Sequence, residues 1–183
     1  YFESGSTSGT ATTTIGPAPT YLAALSSPAM DLSDAVGLEM SFKISYNFYF
    51  RYEGAYLEVS TDGGNNWEYI SNDKLSGKKY YGTTYTTWGN PLVTSRDAWT
   101  YYDTDGRYSS YSNTENWKET TATLDEYTGY DDVRLRFVVG YNTYSMSYYN
   151  AFFRVDDVSF TALEADETFA TETQTIDSLD FKA

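Results

Sequence analysis

A long alternation of apolar and polar side chains, from Val36 to Arg51, most constrains what this chain can fold into. Every second position is apolar over most of that stretch, and the positions between carry mainly charged, hydroxyl or amide groups. A repeat of two residues is typical of a β-strand that packs one face on a core. The segment therefore predicts a long half-buried strand with inward residues Leu38, Met40, Phe42, Ile44, Tyr46, Phe48 and Phe50.

Similar patterns predict further strands at residues 55–59, 118–124, 133–139 and 152–163, and no segment has helical periodicity. A short strand before them is predicted to end at Ser27-Pro28, because proline cannot continue a ladder. Strands separated by turns favour an all-β fold. We therefore predict a jelly-roll β-sandwich of two antiparallel sheets.

The motif AYLEVSTDGGNNW is predicted to form a hairpin. Asp62-Gly63-Gly64 supplies a tight turn, because glycine accepts a positive φ angle. Residues 67–70 are predicted to be the return strand, with Trp67 in the core and Asp62 as a turn former.

Composition excludes several kinds of chemistry. The 183 residues include no cysteine and no histidine, and the formal net charge is −14 at pH 7. Disulfides, thiolate metal sites and histidine-dependent catalytic triads are therefore excluded, and we expect no enzyme activity. A polyanion repels nucleic acid, whereas carboxylates suit Ca²⁺. No apolar run reaches membrane-spanning length, so no membrane insertion is expected. Because the chain begins at Tyr1, we expect a mature secreted form.

Six segments occur in an order that resembles the MAM-like jelly rolls, which include cleaved-adhesin domains and accessory domains of immune-inhibitor-type metallopeptidases. The segments are FES-G, LSSPAMDLS, LEMSFKISYN, AYLEVSTDGGNNW, TATLDEYTGYDDVRLRFVVGYN and FFRVDDVSF. The resemblance covers most of residues 1–163 and leaves 73–116 unmatched. It implies an extracellular domain used in adhesion, in glycan or protein binding, or beside a protease. The absence of cysteine indicates a prokaryotic relative.

The same resemblance implies a structural calcium ion held by acidic residues of the first and closing strands. The matching positions are Glu3 and Asp156 or Asp157. These strands are expected to be neighbours in a closed sandwich, which would bring the carboxylates together. The alternative is that Asp157 forms a turn and Glu3 is solvated.

Residues 73–116 form an aromatic-rich insertion with little alternation. A loop this long is usually functional or contains short strands of its own. Tyr and Trp offer large rigid contact areas, so sugar stacking, a protein interface and packing on the sandwich all stay open. The candidate binding residues are Tyr80, Tyr81, Tyr85, Trp88, Trp99, Tyr101, Tyr102 and Tyr108.

Residues 164–183 follow the sandwich as a C-terminal extension rich in β-forming residues. We expect about residues 168–181 of this tail to add as a strand to a neighbouring copy, which would build a cell-surface filament. Residues 10–15 are an alternative donor. A calcium-dependent carbohydrate-binding module and an accessory domain of a secreted protease are the alternative functions. The expected assembly residues are Phe169, Thr171, Thr173, Thr175, Ile176, Leu179 and Phe181.

Overall fold

Eleven β-strands and two 3-10 turns make up the part of the chain that the structure, a computed structural model, describes. That part comprises residues 20–48, 53–84, 96–100, 117–142, 152–164 and 173–174. The short 3-10 turns are Asn72–Lys74 and Asp125–Tyr127. The strands are β1 Thr20–Ser26, β2 Ala35–Asn47, β3 Gly54–Ser60, β4 Glu68–Tyr69, β5 Leu75–Gly77, β6 Gly82–Thr83, β7 Asp97–Ala98, β8 Lys118–Thr123, β9 Arg134–Asn142, β10 Phe152–Glu164 and β11 Thr173–Gln174.

Two antiparallel sheets pack face to face around the core. One has the order β1-β9-β3-β4 and the other the order β11-β10-β2-β8-β5, while β6 and β7 form a separate small ribbon. The chain passes from one of these sheets to the other between β1 and β2, β2 and β3, β4 and β5, β8 and β9, and β9 and β10. This architecture confirms the predicted all-β sandwich.

Strand β2 confirms the predicted alternation of inward and outward side chains. Leu38, Met40, Phe42 and Ile44 are all at most 2% exposed, whereas Glu39 lies in solvent. Their side chains face the opposite sheet: the Phe42 ring packs edge-on against Phe137 of β9, with centroids 5.1 Å apart. The strand ends at Asn47, and the predicted inward residue Phe50 lies outside the described residues.

The hairpin that follows β3 is confirmed, but its tryptophan lies elsewhere than predicted. Asp62 closes the turn by accepting hydrogen bonds from the Asn66 backbone N–H at 2.8 Å and the Ser60 hydroxyl at 2.8 Å. Trp67 is partly exposed, because its indole N–H donates to the Gly64 carbonyl at 2.9 Å and the ring folds back over the turn. The guanidinium of Arg136 covers the ring at 4.0 Å.

The described parts of the insertion include one strand of the sandwich, β5, and the separate ribbon of β6 and β7. Strand β5 pairs with β8, and β6 pairs with β7. Trp99, just after β7, is fully buried. The expectation of short internal strands is therefore met, and the insertion supplies part of the core. Among the described residues, no helix has the length and apolar character needed to cross a membrane.

Candidate functional site

The edge of the five-stranded sheet at β10 is the most informative surface of the structure. β10 has 13 residues and pairs with β2 along one side. On its other side, Phe160 pairs with Gln174 and Thr161 with Thr173. Within the described residues, strand pairing on this side is limited to those two positions. We call the stretch Phe152–Ser159 on this side the outer flank of β10.

A β-bulge divides β10 next to this flank. Asp156 lies opposite Lys43 of β2 and Ser159 lies opposite Ser41, so β10 carries one extra residue between these pairs. Asp157 takes a φ of +51° there, a conformation unusual for a residue other than glycine. The two serine hydroxyls hydrogen-bond at 2.6 Å across the strands just beyond the bulge. The bulge is therefore held in place from both strands.

The bulge also changes which residues of β10 face the core. Before it, Phe153 and Val155 are each 1% exposed, and after it Phe160 is 6% exposed. These inward positions are an odd number of residues apart, so the alternation reverses side at the bulge. On the outward face, the guanidinium of Arg154 lies 4.7 Å from the centre of the Phe152 ring.

The predicted calcium ligands are only partly visible in this geometry. Asp156 and Asp157 are both exposed at the bulge. Asp157 forms an ion pair with Lys43, with 2.7 Å between the lysine Nζ and the carboxylate Oδ2. Within the described ranges, no cluster of three metal-ligating side chains occurs. Glu3 lies outside the described residues. Calcium binding therefore stays a prediction.

The strand adjacency on which that prediction drew is untested, because the predicted first strand, which carries Glu3, lies outside the described residues. The first described strand, β1, pairs with β9 in the four-stranded sheet, whereas the closing strand β10 pairs with β2 in the other sheet. The two strands thus belong to opposite layers of the sandwich. Because residues 1–19 lie outside the described residues, the position of Glu3 relative to Asp156 is untested.

Two of the predicted binding aromatics are core residues, which corrects the sequence interpretation. Tyr80 is 4% exposed and Trp99 is fully buried, and their rings pack edge-on with centroids 4.7 Å apart. The Tyr80 hydroxyl accepts from the Leu57 N–H at 2.9 Å, and the Trp99 indole donates to the Lys78 carbonyl at 3.0 Å. Burial raises the pKa of Tyr80 well above its ordinary value. Neither ring can reach a ligand.

Tyr81 is the described member of the set with an exposed ring, at 50%. Its contact with a glycan or a protein stays a prediction. The remaining candidates lie outside the described residues: Tyr85, Trp88, Tyr101, Tyr102 and Tyr108.

A charged and aromatic cluster on the outer face of the four-stranded sheet escaped the sequence analysis. Glu58 of β3 is 6% exposed and forms ion pairs with Arg136 of β9, at 2.6 Å, and with Arg96, at 3.6 Å. The Arg96 guanidinium also lies 5.2 Å from the centre of the Tyr69 ring, and burial raises the pKa of that tyrosine. The cluster attaches the insertion to the sheet. The sequence feature that could have revealed it is the position of Glu58 directly opposite Arg136 on β3 and β9. That position is known only once the register of the two strands is known.

The acidic residues near the second 3-10 turn have structural partners. Asp125 accepts from the Leu38 N–H at 2.8 Å, which joins the turn to β2. Glu126 pairs with Lys74 at 2.6 Å, and the hydrogen bond from that lysine lowers the pKa of the glutamate. These contacts fit the interpretation of the segment as a turn.

No family model matches the chain, and no curated protein matches it either. Among the assembly residues, Thr173 belongs to β11, while Phe169, Thr171, Thr175, Ile176, Leu179 and Phe181 lie outside the described residues. Functional inference therefore rests on the geometry of the β10 edge.

Proposed function

We propose that the protein is a secreted, non-catalytic structural subunit that assembles into a cell-surface filament by strand addition between copies. The observation that supports this is the antiparallel pairing of Thr173–Gln174 with Phe160–Thr161 at the edge of the five-stranded sheet. The edge that accepts the strand and the segment that supplies it belong to the same polypeptide. Every copy therefore carries both halves of a contact that another copy could complete.

Strand addition suits the contact between β10 and β11 because main-chain hydrogen bonds make it, and these are the same whichever copy supplies the added strand. The described pairing joins Phe160–Thr161 of β10 to Thr173–Gln174 of β11.

Exchange of the tail between copies replaces a contact with an identical one. Residues 165–172 connect β10 to β11, and the same pairs form whether β11 comes from its own chain or from another. Domain swapping of this kind has a small free-energy difference, because the interface is unchanged. Repeated head to tail, the contact gives an open filament unless the rotation closes it into a ring.

Charge sets a condition for this assembly. Each copy carries a formal charge of −14, so neighbouring copies repel one another at low ionic strength. Salt screens that repulsion. We therefore expect filaments to form more readily at about 0.5 M NaCl than at about 10 mM. Calcium held at Asp156 and Asp157 would act in the same direction and remains part of the proposal.

A disulfide test separates pairing within a chain from pairing between chains. The protein has no cysteine, so Thr161→Cys with Thr173→Cys introduces one defined pair at register partners. Oxidation of assembled protein should give a ladder of covalent multimers in non-reducing gels. Each single variant is the control. A covalent monomer as the sole product would contradict assembly through this strand.

Deletion of residues 165–183 provides the second test. Without the donor, we expect no filaments by negative-stain electron microscopy, and circular dichroism should still show a folded β-sandwich. Filaments of unchanged number and length from the shortened protein would rule out the tail as donor and turn attention to residues 10–15.

A further inference from the structure

We infer that strand β1 forms a second contact between copies, in which the β1 strands of two copies pair antiparallel across a two-fold axis at Ala23. Their four-stranded sheets then become one continuous sheet. This inference goes beyond the proposed function, because it uses neither the tail nor β10. A two-fold contact closes at two copies, so together with head-to-tail strand addition it would join filaments side by side.

β1 is the longest edge strand of the two described sheets. One sheet ends at β1 and β4, and the other ends at β11 and β5. β4 and β11 have two residues each and β5 has three, whereas β1 has seven. All seven pair with β9, and within the described residues the other side of β1 has no strand partner. We call that other side the outer side of β1.

The sequence of β1 lacks the features that usually protect an edge strand. Natural proteins place charges, proline or a β-bulge in such strands, which prevents pairing with another chain. Thr20–Ser26 contains no charged residue, no proline and no glycine, and its register with β9 has no bulge. Leu22 is 60% exposed, more than any other large apolar side chain of the described residues. An exposed apolar edge of this kind favours association.

Charge identifies a second copy as the partner. The formal net charge is −14 and charged residues make up 21% of the chain, yet residues 4–30 contain none. The net charge opposes contact between copies in general, and it opposes contact least at an edge that carries no charge. A basic partner would find no carboxylate on β1 to bind. Two identical uncharged edges are complementary to each other, because main-chain hydrogen bonds join them.

The hydrogen bonds between β1 and β9 determine which residues are able to pair on the outer side. The Ser27 N–H donates to the Leu135 carbonyl at 2.7 Å, directly after the last pair of the ladder. Because main-chain groups alternate between the two sides of an antiparallel strand, the odd-numbered residues of β1 direct theirs to β9. The even-numbered residues direct theirs to the outer side: Thr20, Leu22, Ala24 and Ser26.

One register engages the whole strand. With Ala23 on the axis, Leu22 lies opposite Ala24 of the second copy, and Thr20 lies opposite Ser26 of the second copy. Each of these pairs joins two even-numbered residues, so their main-chain groups meet. A register with Leu22 or Ala24 on the axis keeps that match but leaves one end of each strand unpaired. A shift of one residue loses the match altogether.

A single introduced cysteine tests the contact, because the chain has no cysteine of its own. Ala23→Cys would place two Cα atoms about 4.5 Å apart across the axis, within the range of a disulfide. Ser26→Cys is the matched control. Both positions are partly exposed, but residue 26 would lie about 20 Å from its counterpart, since six residues of strand separate them.

The full-length variants are oxidised under mild conditions, and the disulfide-linked dimers are measured in non-reducing gels and by mass. We expect at least about tenfold more dimer from Ala23→Cys than from Ser26→Cys. Equal yields would overturn the inference. A greater yield from Ala24→Cys than from Ala23→Cys would place residue 24 on the axis and would overturn the register.

A charge introduced at the edge gives a second measurement with the same readout. In the Ala23→Cys background, Leu22→Lys should lower the dimer yield by about fivefold or more, because it brings two like charges to the contact. Leu163→Lys in the same background is the control, since Leu163 is 51% exposed on β10 of the other sheet. Its dimer yield should stay unchanged. Circular dichroism checks that both variants fold, and equal reductions would overturn the inference.

The outcome is separable from that of strand addition by the tail. A covalent ladder from Thr161→Cys with Thr173→Cys, without a dimer from Ala23→Cys, would reject the β1 contact and leave the proposed function standing. A dimer from Ala23→Cys without that ladder would support the β1 contact and reject strand addition through β11.

Discussion

The indole of Trp99 packs edge-on against the Phe42 ring, with centroids 5.8 Å apart and planes at 82°. Phe42 belongs to the central strand β2, and Trp99 comes from the aromatic-rich insertion. The backbone supports the same contact: Trp99 and Ala55 exchange two N–H···O bonds of 2.9 Å. Trp99 thus connects the insertion to both sheets. Substitution of Trp99 should therefore destabilise the whole sandwich.

Trp99→Ala should lower the free energy of unfolding by about 3–5 kcal/mol, because a fully buried indole leaves a cavity among packed rings. Urea unfolding followed by far-UV circular dichroism measures this. Tyr81→Ala is the control, since that ring is 50% exposed, and it should change the value by less than about 0.5 kcal/mol. Similar losses for both variants would contradict the core role of Trp99.

Glu58→Gln should destabilise the protein by roughly 2 kcal/mol, because Arg136 and Arg96 would lose their shared carboxylate in a largely buried setting. Glu126→Gln is the matched control. The side chains of Glu126 and Lys74 are 46% and 31% exposed, respectively, so their ion pair should contribute at most about 1 kcal/mol. Thermal unfolding at low and high salt separates the two. If both variants lost the same amount of stability and both losses depended on salt, the ion pairs of Glu58 would contribute no more than a surface ion pair.

Stability should fall at acid pH in a way that involves Asp62. The Asn66 backbone N–H, the Asn66 side chain and the Ser60 hydroxyl donate to its carboxylate, and they lower its pKa from 3.8 to about 2. Because the folded pKa is the lower one, the stabilisation is complete above about pH 4 and is lost as pH falls toward about 2. The difference in unfolding free energy between wild type and Asp62→Asn should therefore shrink across that window. An NMR titration that gives the Asp62 carboxyl a pKa near 4 in the folded protein would refute this.

Gly77→Ala should be far more harmful than Gly129→Ala, although both glycines have a positive φ, of 71° and 84°. A Cβ at Gly77 would lie 2.5 Å from the Glu119 carbonyl oxygen, whereas one at Gly129 would meet nothing within 4 Å. We expect losses of roughly 3 kcal/mol and about 1 kcal/mol, respectively. Chemical denaturation of the two variants measures this difference, and equal losses would mean that β5 can move away from β8.

The strands that could be predicted from the sequence are those whose side chains alternate over a long enough stretch. Leu38 to Ile44 report their burial through position alone, because a strand turns every second side chain to the same face. The positions of Trp67 and Trp99 were predicted wrongly, and the two errors were opposite. One folds back onto its own turn and the other enters the core from a segment without alternation, and in each case the partners are set by the packing of distant strands.

Sequence alone determined several local or compositional properties: the alternation in β2, the glycine turn after β3 and the absence of cysteine and histidine. Tertiary structure decided the pairings. Ser41 meets Ser159 although 118 residues separate them, and no local pattern specifies which edge receives Thr173. Main-chain hydrogen bonds are chemically the same for every residue, so a strand's neighbour is chosen by the fit of whole faces, and that fit exists only once both sheets are formed.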